Sequence, residues 1–398
     1  MNVTSPATEI LPDETPILDR EAPLPPRAVP GSGLNVVLAV WSAIVLIVVA
    51  SWLLDRPPIL RRWFETVLRP WFLEQRAGIG IVGLGLSALA AFYAMLVIHE
   101  LGHLIAGLCV GFRCRSFRVG PVLVERPLRV SFYRGPGAVV QGVAELVPVV
   151  TDKLAWRGVA MVAGGPVANF LTALVVLLLP FPFTAFSGCF IAFSIANSVS
   201  DLVPFESRLG VSDGRRIWML LRQPRCGERW LALLRLGGEL ADGVLPESLS
   251  ADFLAKAIAV RDASADTVKA YAMAFSAAFH QHQDSDAAHR LETCLTYSDS
   301  ATPVLREALM SEAAVFQARR RRRAELAEQW LAGIPVNTPH RWFRSRAEAA
   351  ILESKGDING ALDKLAETET AILALSKNAQ RETSLRLLER WKADLRPA

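Results

Sequence analysis

Leu89-Ala-Ala-Phe-Tyr-Ala-Met-Leu-Val-Ile98 runs without a charge into His99-Glu100-Leu101-Gly102-His103, and residues 104–112 are apolar or small again. This junction decides the fold. An uncharged run of this kind is written for a helix in lipid. On a helix, a spacing of four puts His99 and His103 on one face, one turn apart, so their imidazoles can share a metal ion. Zinc suits imidazole and lowers the pKa of a bound water to about 7. Glu100 follows the first imidazole, where it can take a proton from that water and later return it to a leaving amine. An ionisable group inside a span costs roughly 2.5 kcal/mol or more on insertion scales, so three polar groups together mark a functional site.

Working outward, residues 77–98 form an apolar run that continues through the histidines to residue 112. One helix could cover both runs, but it would exceed a single span and so tilt, break or lead into a re-entrant segment. Upstream, residues 34–54 are uncharged and long enough to cross about 30 Å of hydrocarbon. Residues 55–76 mix Arg, Pro and Trp in interfacial style. Downstream, residues 113–157 alternate in short pieces separated by Gly120-Pro121 and Gly135-Pro136-Gly137, which reads as strands and turns. A third span is expected over 156–179, interrupted by Gly164-Gly165-Pro166, and a fourth over 184–203. The expected fold is mainly α: a multi-pass transmembrane helical core of about four spans with a small β-rich insertion. Residues 113–157 carry eight Lys and Arg, and 55–76 carry five. Four crossings put the N-terminus, the strand-rich loop and the C-terminal part on one side. The basic bias makes that side cytoplasmic, and the expected location is a bacterial inner membrane.

Composition agrees with a membrane core joined to a water-soluble part. The chain has 398 residues, 52% hydrophobic yet 21% charged, and a formal charge of only +4 gives no reason to expect nucleic acid. Five scattered cysteines without a Cys-x-x-Cys pair do not read as a disulfide framework. Residues 1–33, rich in Pro, Glu and Asp, read as a disordered tail. From residue 230 onward no stretch could span a membrane, and the pattern is amphipathic helices. Ala287-Ala-His-Arg-Leu291, Ala324-Glu-Leu-Ala-Glu-Gln-Trp330 and Ala361-Leu-Asp-Lys-Leu365 recur at a constant interval of 37 positions, which suggests stacked helical hairpins of tetratricopeptide-like type. The organisation read from the chain is thus 1–33 tail, 34–76 first span and interfacial loop, 77–225 membrane core, and 226–398 soluble α-helical repeat domain. Arg319 to Arg323 reads as a solvated helix face or as a dock for anionic headgroups. His280, His282 and His289 suggest no metal site, because no Cys or carboxylate cluster accompanies them.

A catalytic zinc needs a third protein ligand and an open position. The remaining histidines lie far from the spans, which leaves Asp201, Glu206 and Asp213 near the fourth span. At this point a family resemblance enters. His99-Glu-Leu-Gly-His103 at the end of an apolar run resembles the zinc motif of the site-2 protease family. Gly165-Pro166-Val-Ala-Asn169-Phe170 is similar to that family's Gly-Pro-x-x-Asn element. Asp201-Leu-Val-Pro204 with Ser212-Asp213-Gly214 resembles its Asn-x-x-Pro and Asp-Gly pair. The likeness covers about residues 80–221.

The resemblance implies zinc held by His99, His103 and Asp213, Glu100 as the catalytic acid and base, and Asn169 and Asp201 as substrate or transition-state contacts. It also implies an intramembrane endopeptidase acting on membrane-protein substrates in the lipid bilayer, in a family that often releases membrane-tethered regulators. Two departures stand out: Asp201 occupies the family's Asn position, and nine positions separate Pro204 from Asp213. The strand-rich loop would offer an edge to an extended substrate, and the helical repeat domain would recruit a protein partner. The competing reading is a catalytically silent membrane scaffold that binds partners through the repeat domain. An ion transporter is weakened by the few spans and the absence of inverted repeats.

Overall fold

The computed structural model describes residues 16–19, 77–125, 129–133, 139, 141–178, 184–207, 210–375 and 379–396. The expected first span, 34–54, and the interfacial segment after it lie outside the described residues. The chain divides into two compact units, Val29–Gly227 and a second made of Glu228–Ala398 with Met1–Ala28.

In the first unit, the apolar run and both histidines share one unbroken helix, α1 (Ala77–Cys109). Its 33 residues span about 50 Å at 1.5 Å per residue, well beyond the hydrocarbon thickness. Gly111, at φ +85°, takes the left-handed conformation that ends the helix and starts the sheet. Four antiparallel strands follow: β1 (Phe112–Val119), β2 (Val122–Glu125), β3 (Arg129–Phe132) and β4 (Gly142–Pro148), in the order β3-β2-β1-β4. Val119 pairs with Val122 across a two-residue turn, and Gly120 supplies the φ of +56° that so tight a turn needs. β4 is an edge strand packed against α1.

The next helix departs from expectation. Gly164-Gly165-Pro166 does not interrupt it: α2 (Leu154–Leu178) runs straight through. The glycines serve a close helix crossing instead. A Cβ on Gly102 of α1 would lie 2.6 Å from Ala168 Cβ and closer still to the Gly164 carbonyl, while a Cβ on Gly164 would lie 2.6 Å from Ala106. Small residues at this spacing let two backbones touch, which is how helices gain packing energy in lipid. The Pro166 carbonyl accepts a hydrogen bond from Ser198 Oγ at 2.9 Å. Ser198 lies on α3 (Ala185–Leu202), which starts in a capping box between Thr184 and Ser187.

The three helices are long and apolar enough to cross a membrane. Their polarity is inside out. Leu86, Ile105, Leu171, Val175 and Leu178 face outward, whereas Asn169, Ser194 and Ser198 are buried. Lipid-facing helices are expected to look this way, since polar groups in hydrocarbon must find partners inside.

After α3, a short hairpin of β5 (Glu206–Ser207) and β6 (Gly210–Val211) closes on itself before α4 (Asp213–Arg222). The hairpin takes up the residues between Pro204 and Asp213. Ser212 ties the loop's two ends together: its hydroxyl donates to the Val203 carbonyl at 2.8 Å and accepts from the Phe205 and Arg215 amides. Gly214 lies against the Leu202 carbonyl, where a Cβ could not fit.

The second unit opens within α5 (Pro224–Ala241). It continues through α6 (Ala251–Ile258), α7 (Ala265–His280), α8 (Asp284–Thr296), α9 (Pro303–Arg319), α10 (Ala324–Ala332), α11 (Arg341–Ser354), α12 (Ile358–Leu373) and α13 (Ala379–Leu395). Helices α7 and α8, α9 and α10, and α11 and α12 pack as pairs. Each pair turns through one residue with positive φ: His282, Arg322 and Gly356. Five positions after each lies a fully buried alanine: Ala287, Ala327 and Ala361. The equivalent positions are thus 40 and 34 residues apart, and the constant interval of 37 through Ala324 is a coincidence of Ala-rich helices. The core holds Phe275, Leu291, Leu309, Phe316 and Trp330.

Part of the tail read as disordered is ordered against this core. Ile17–Asp19 form a 3-10 turn whose Leu18 is 1% exposed. The arginine run also departs from a simple solvated helix face. Arg319 pairs with Glu353, Arg320 with Asp284, and Arg321 and Arg323 with Asp19.

Candidate functional site

α1 presents both imidazoles toward α2, α3 and the first turn of α4. His99 Nε2 and His103 Nε2 are 3.1 Å apart, and Asp213 Oδ2 lies 3.4 Å from the first and 3.3 Å from the second. These three ligand atoms form the one group of His, Cys, Asp and Glu that converges in this manner among the described residues. Four ligands at about 2.0–2.1 Å from a tetrahedral zinc ion stand about 3.3–3.4 Å from one another. The observed triangle has the dimensions of one face of that tetrahedron.

The hydrogen bonds behind the rings aim the same atoms inward. His103 Nδ1 is 3.0 Å from the Met161 carbonyl and 3.3 Å from the Gly165 amide nitrogen; with the proton on Nδ1, donated to the closer carbonyl, Nε2 keeps its lone pair. On His99, Nδ1 meets the Asn169 amide at 3.2 Å. The Asn169 oxygen has no partner; with the amide turned so that this oxygen accepts from Nδ1–H, the ring has the same tautomer, and the Asn197 amide nitrogen stands 3.3 Å from the same atom. Asp213 Oδ2 is buried without a hydrogen-bond partner. Two inward lone pairs and an orphaned carboxylate oxygen pose an electrostatic demand that a divalent cation meets. The residues present fit zinc.

Asp213 reaches this point because it is the first residue of α4, pinned there by the Ser212 cap and the bare Gly214. Glu100, next to His99 but one step around the helix, is buried and turns toward the sheet. Its side chain fills the space left by Gly142, and the Ala144 N–H donates to it. The carboxylate therefore sits between the imidazoles and edge strand β4.

Asn169 is fully buried, with its amide on the far side of the His99 ring from Asp213. Asp201 lies beside the triangle, 3.7 Å from His99 Nε2. Glu206 falls at the start of β5. Sequence reasoning missed Asn197. Its amide nitrogen donates to Asp201 at 2.7 Å and lies 3.3 Å from His99 Nδ1. The signal was present, since Asn197 precedes Asp201 by four on an apolar helix and so shares its face. In the second unit, His282 pairs with Arg320 and His289 with Arg261.

With this geometry in hand, comparison with known proteins is informative. The model of the family described as "Peptidase family M50" matches residues 87–371. A protein of Chlamydia trachomatis serovar D named "Putative zinc metalloprotease" is 30% identical over 170 residues, covering 36% of this chain and 26% of the relative. The chain thus spans about a quarter of that relative's length. No solved structure matches the chain.

Proposed function

The chain belongs to peptidase family M50, and from that premise we propose that it is an intramembrane zinc metalloendopeptidase of the site-2 type, hydrolysing peptide bonds in or near the transmembrane segments of membrane proteins. The observation that supports this best is the triangle of His99 Nε2, His103 Nε2 and Asp213 Oδ2, with sides of 3.1, 3.3 and 3.4 Å. These three atoms would hold the ion. When bound, zinc supplies Lewis acidity toward water and toward the scissile carbonyl.

The chain's own residues do the rest. A Glu100 carboxylate oxygen accepts the proton of the attacking water and delivers it to the leaving amine, the general acid and base work that typically contributes 10²–10⁴-fold. Asn169 is a positioning residue: it fixes the His99 ring through Nδ1. Asn197 and Asp201 form a polar wall next to His99. β4 is the strand on which a substrate would lie extended, because it is an edge and its Ala144 N–H already points toward Glu100. Main-chain pairing at an edge holds a peptide straight without reading its side chains, which suits a protease. The basic bias of residues 113–157 supports a cytoplasmic position for the sheet and the C-terminal unit.

The test is a cleavage assay on a membrane-spanning reporter in proteoliposomes. Cleavage that needs zinc and disappears in Glu100→Gln supports the reading. A protein that never binds zinc, or cleaves equally well without Glu100, would overturn it.

A further inference from the structure

We propose that the C-terminal helical unit is a receptor for a short peptide of the pattern apolar–Leu–acidic, and that the chain's own Ile17-Leu18-Asp19 is its resident, displaceable occupant. The site is built around main chain. The two carboxylate oxygens of Glu292 accept from the successive amides of Ile17 and Leu18, at 2.7 and 2.9 Å. The Leu18 carbonyl accepts from Gln317 Nε2 at 2.6 Å and from Trp330 Nε1 at 3.2 Å. Gln317 and Trp330 are 0% and 1% exposed, and both aim their N–H groups at this one carbonyl.

Beyond the main chain, two side chains are read. Leu18 enters the core cluster that holds Leu291 and Phe316. Asp19 faces two cations, Arg321 and Arg323, the second at 3.0 Å. Specificity would follow: leucine fills the hole, and an acid satisfies the arginines.

Elements that belong to a core usually satisfy their main chain through helix or sheet ladders. Here side chains from α8, α9 and α10 recognise a three-residue turn from the other end of the sequence. Gln317 and Trp330 lose the carbonyl they share when the segment leaves, so an occupant that offers the same acceptor is favoured. A segment this short holds on because it is tethered to its receptor, which gives it a high effective concentration. An untethered segment with the same chemistry in a partner protein competes for the same donors, and its binding frees the N-terminal segment.

The experiment uses the full chain in detergent and a fluorescein-labelled peptide of residues 12–22, followed by anisotropy. Leu18→Asp disables the tethered occupant, and Asp19→Lys does so without touching the core. Both variants should bind the peptide at least 10-fold more tightly than the wild-type chain. Adding Arg321→Glu with Arg323→Glu to either variant should remove that gain, as should replacing Leu18 by Ala in the peptide. No binding to either variant, with the helical signal intact, overturns the proposal. So does loss of the helical signal in both variants, because the segment would then be a core element rather than a ligand.

Discussion

Gly165 lies directly against His99: a Cβ on this glycine would stand 2.8 Å from Nε2 of the ring, and closer still to Nε2 of His103. The clearance comes from the tight crossing of α1 and α2. It exists only because the residue on α2 nearest the two imidazoles has no side chain. Gly165→Ala should therefore push the rings off their shared point. Zinc affinity, measured by competition with a chromophoric chelator, should fall at least 10-fold while the helical signal is kept. Unchanged affinity would show that the rings have room to spare.

Ligand and proton carrier can be separated. Asp213→Ala removes one corner of the triangle and should strip the purified protein of zinc. Glu100→Gln leaves all three corners in place, so zinc content should stay near wild type while cleavage drops by about 10²–10⁴-fold. Metal analysis beside a turnover assay checks both. A Glu100→Gln protein that loses its zinc would assign the carboxylate to the metal instead.

The second unit should weaken in acid through one ion pair. Arg229 is nearly fully buried and holds Asp262 through two bonds, at 2.8 and 3.0 Å, with Thr267 and Ser264 assisting. Burial raises the Asp262 carboxyl, but these partners outweigh it, so its pKa in the folded chain lies below the ordinary value. A depressed carboxylate stabilises above its unfolded pKa, near 4, and the contribution is lost as pH falls through the folded value. Asp262→Asn should therefore cost about 1–3 kcal/mol at pH 7 and progressively less as pH falls through the folded value. Thermal melts of the variant and parent across that range should converge; parallel curves would place the stabilisation elsewhere.

Arg322 holds a positive φ of 54° at the α9–α10 turn, in the position where the α11–α12 turn has Gly356. The left-handed conformation costs an L-residue about 1–2 kcal/mol, partly offset by the extra entropy that glycine loses on folding. Arg322→Gly should stabilise the unit by about 0.5–1 kcal/mol. The guanidinium is exposed and separate from the Asp19 pairs, so peptide binding should not change. A lower melting temperature would mean that the Arg322 side chain contributes more than its backbone costs.

Several of these features were legible in the chain itself. The His99, Glu100 and His103 spacing, the apolar runs and the strand alternation of residues 113–157 all follow from local periodicity. The structure agrees on α1, α2, α3 and the small sheet. Other readings failed where they relied on composition alone. Gly164-Gly165-Pro166 looks like a helix breaker, yet it is a contact surface, because in lipid a glycine's missing side chain is spent on a neighbouring helix. The arginine run looks like a solvated face, yet four of its members pair with acids up to hundreds of positions away. The interval of 37 vanishes because the turns at His282 and Arg322, and not the alanines, set the register.

The sequence by itself determined which segments are helix or strand and that two imidazoles and a carboxylate share one apolar helix, since hydrogen-bond geometry fixes those periods within a few residues. Only the tertiary structure decided how the loop after Pro204 folds back to bring Asp213 within 3.4 Å of both imidazoles, and that Leu18 enters a pocket nearly three hundred positions away. Those outcomes depend on how closely two backbones approach and how a loop folds back, and close packing of distant segments leaves no trace in local spacing.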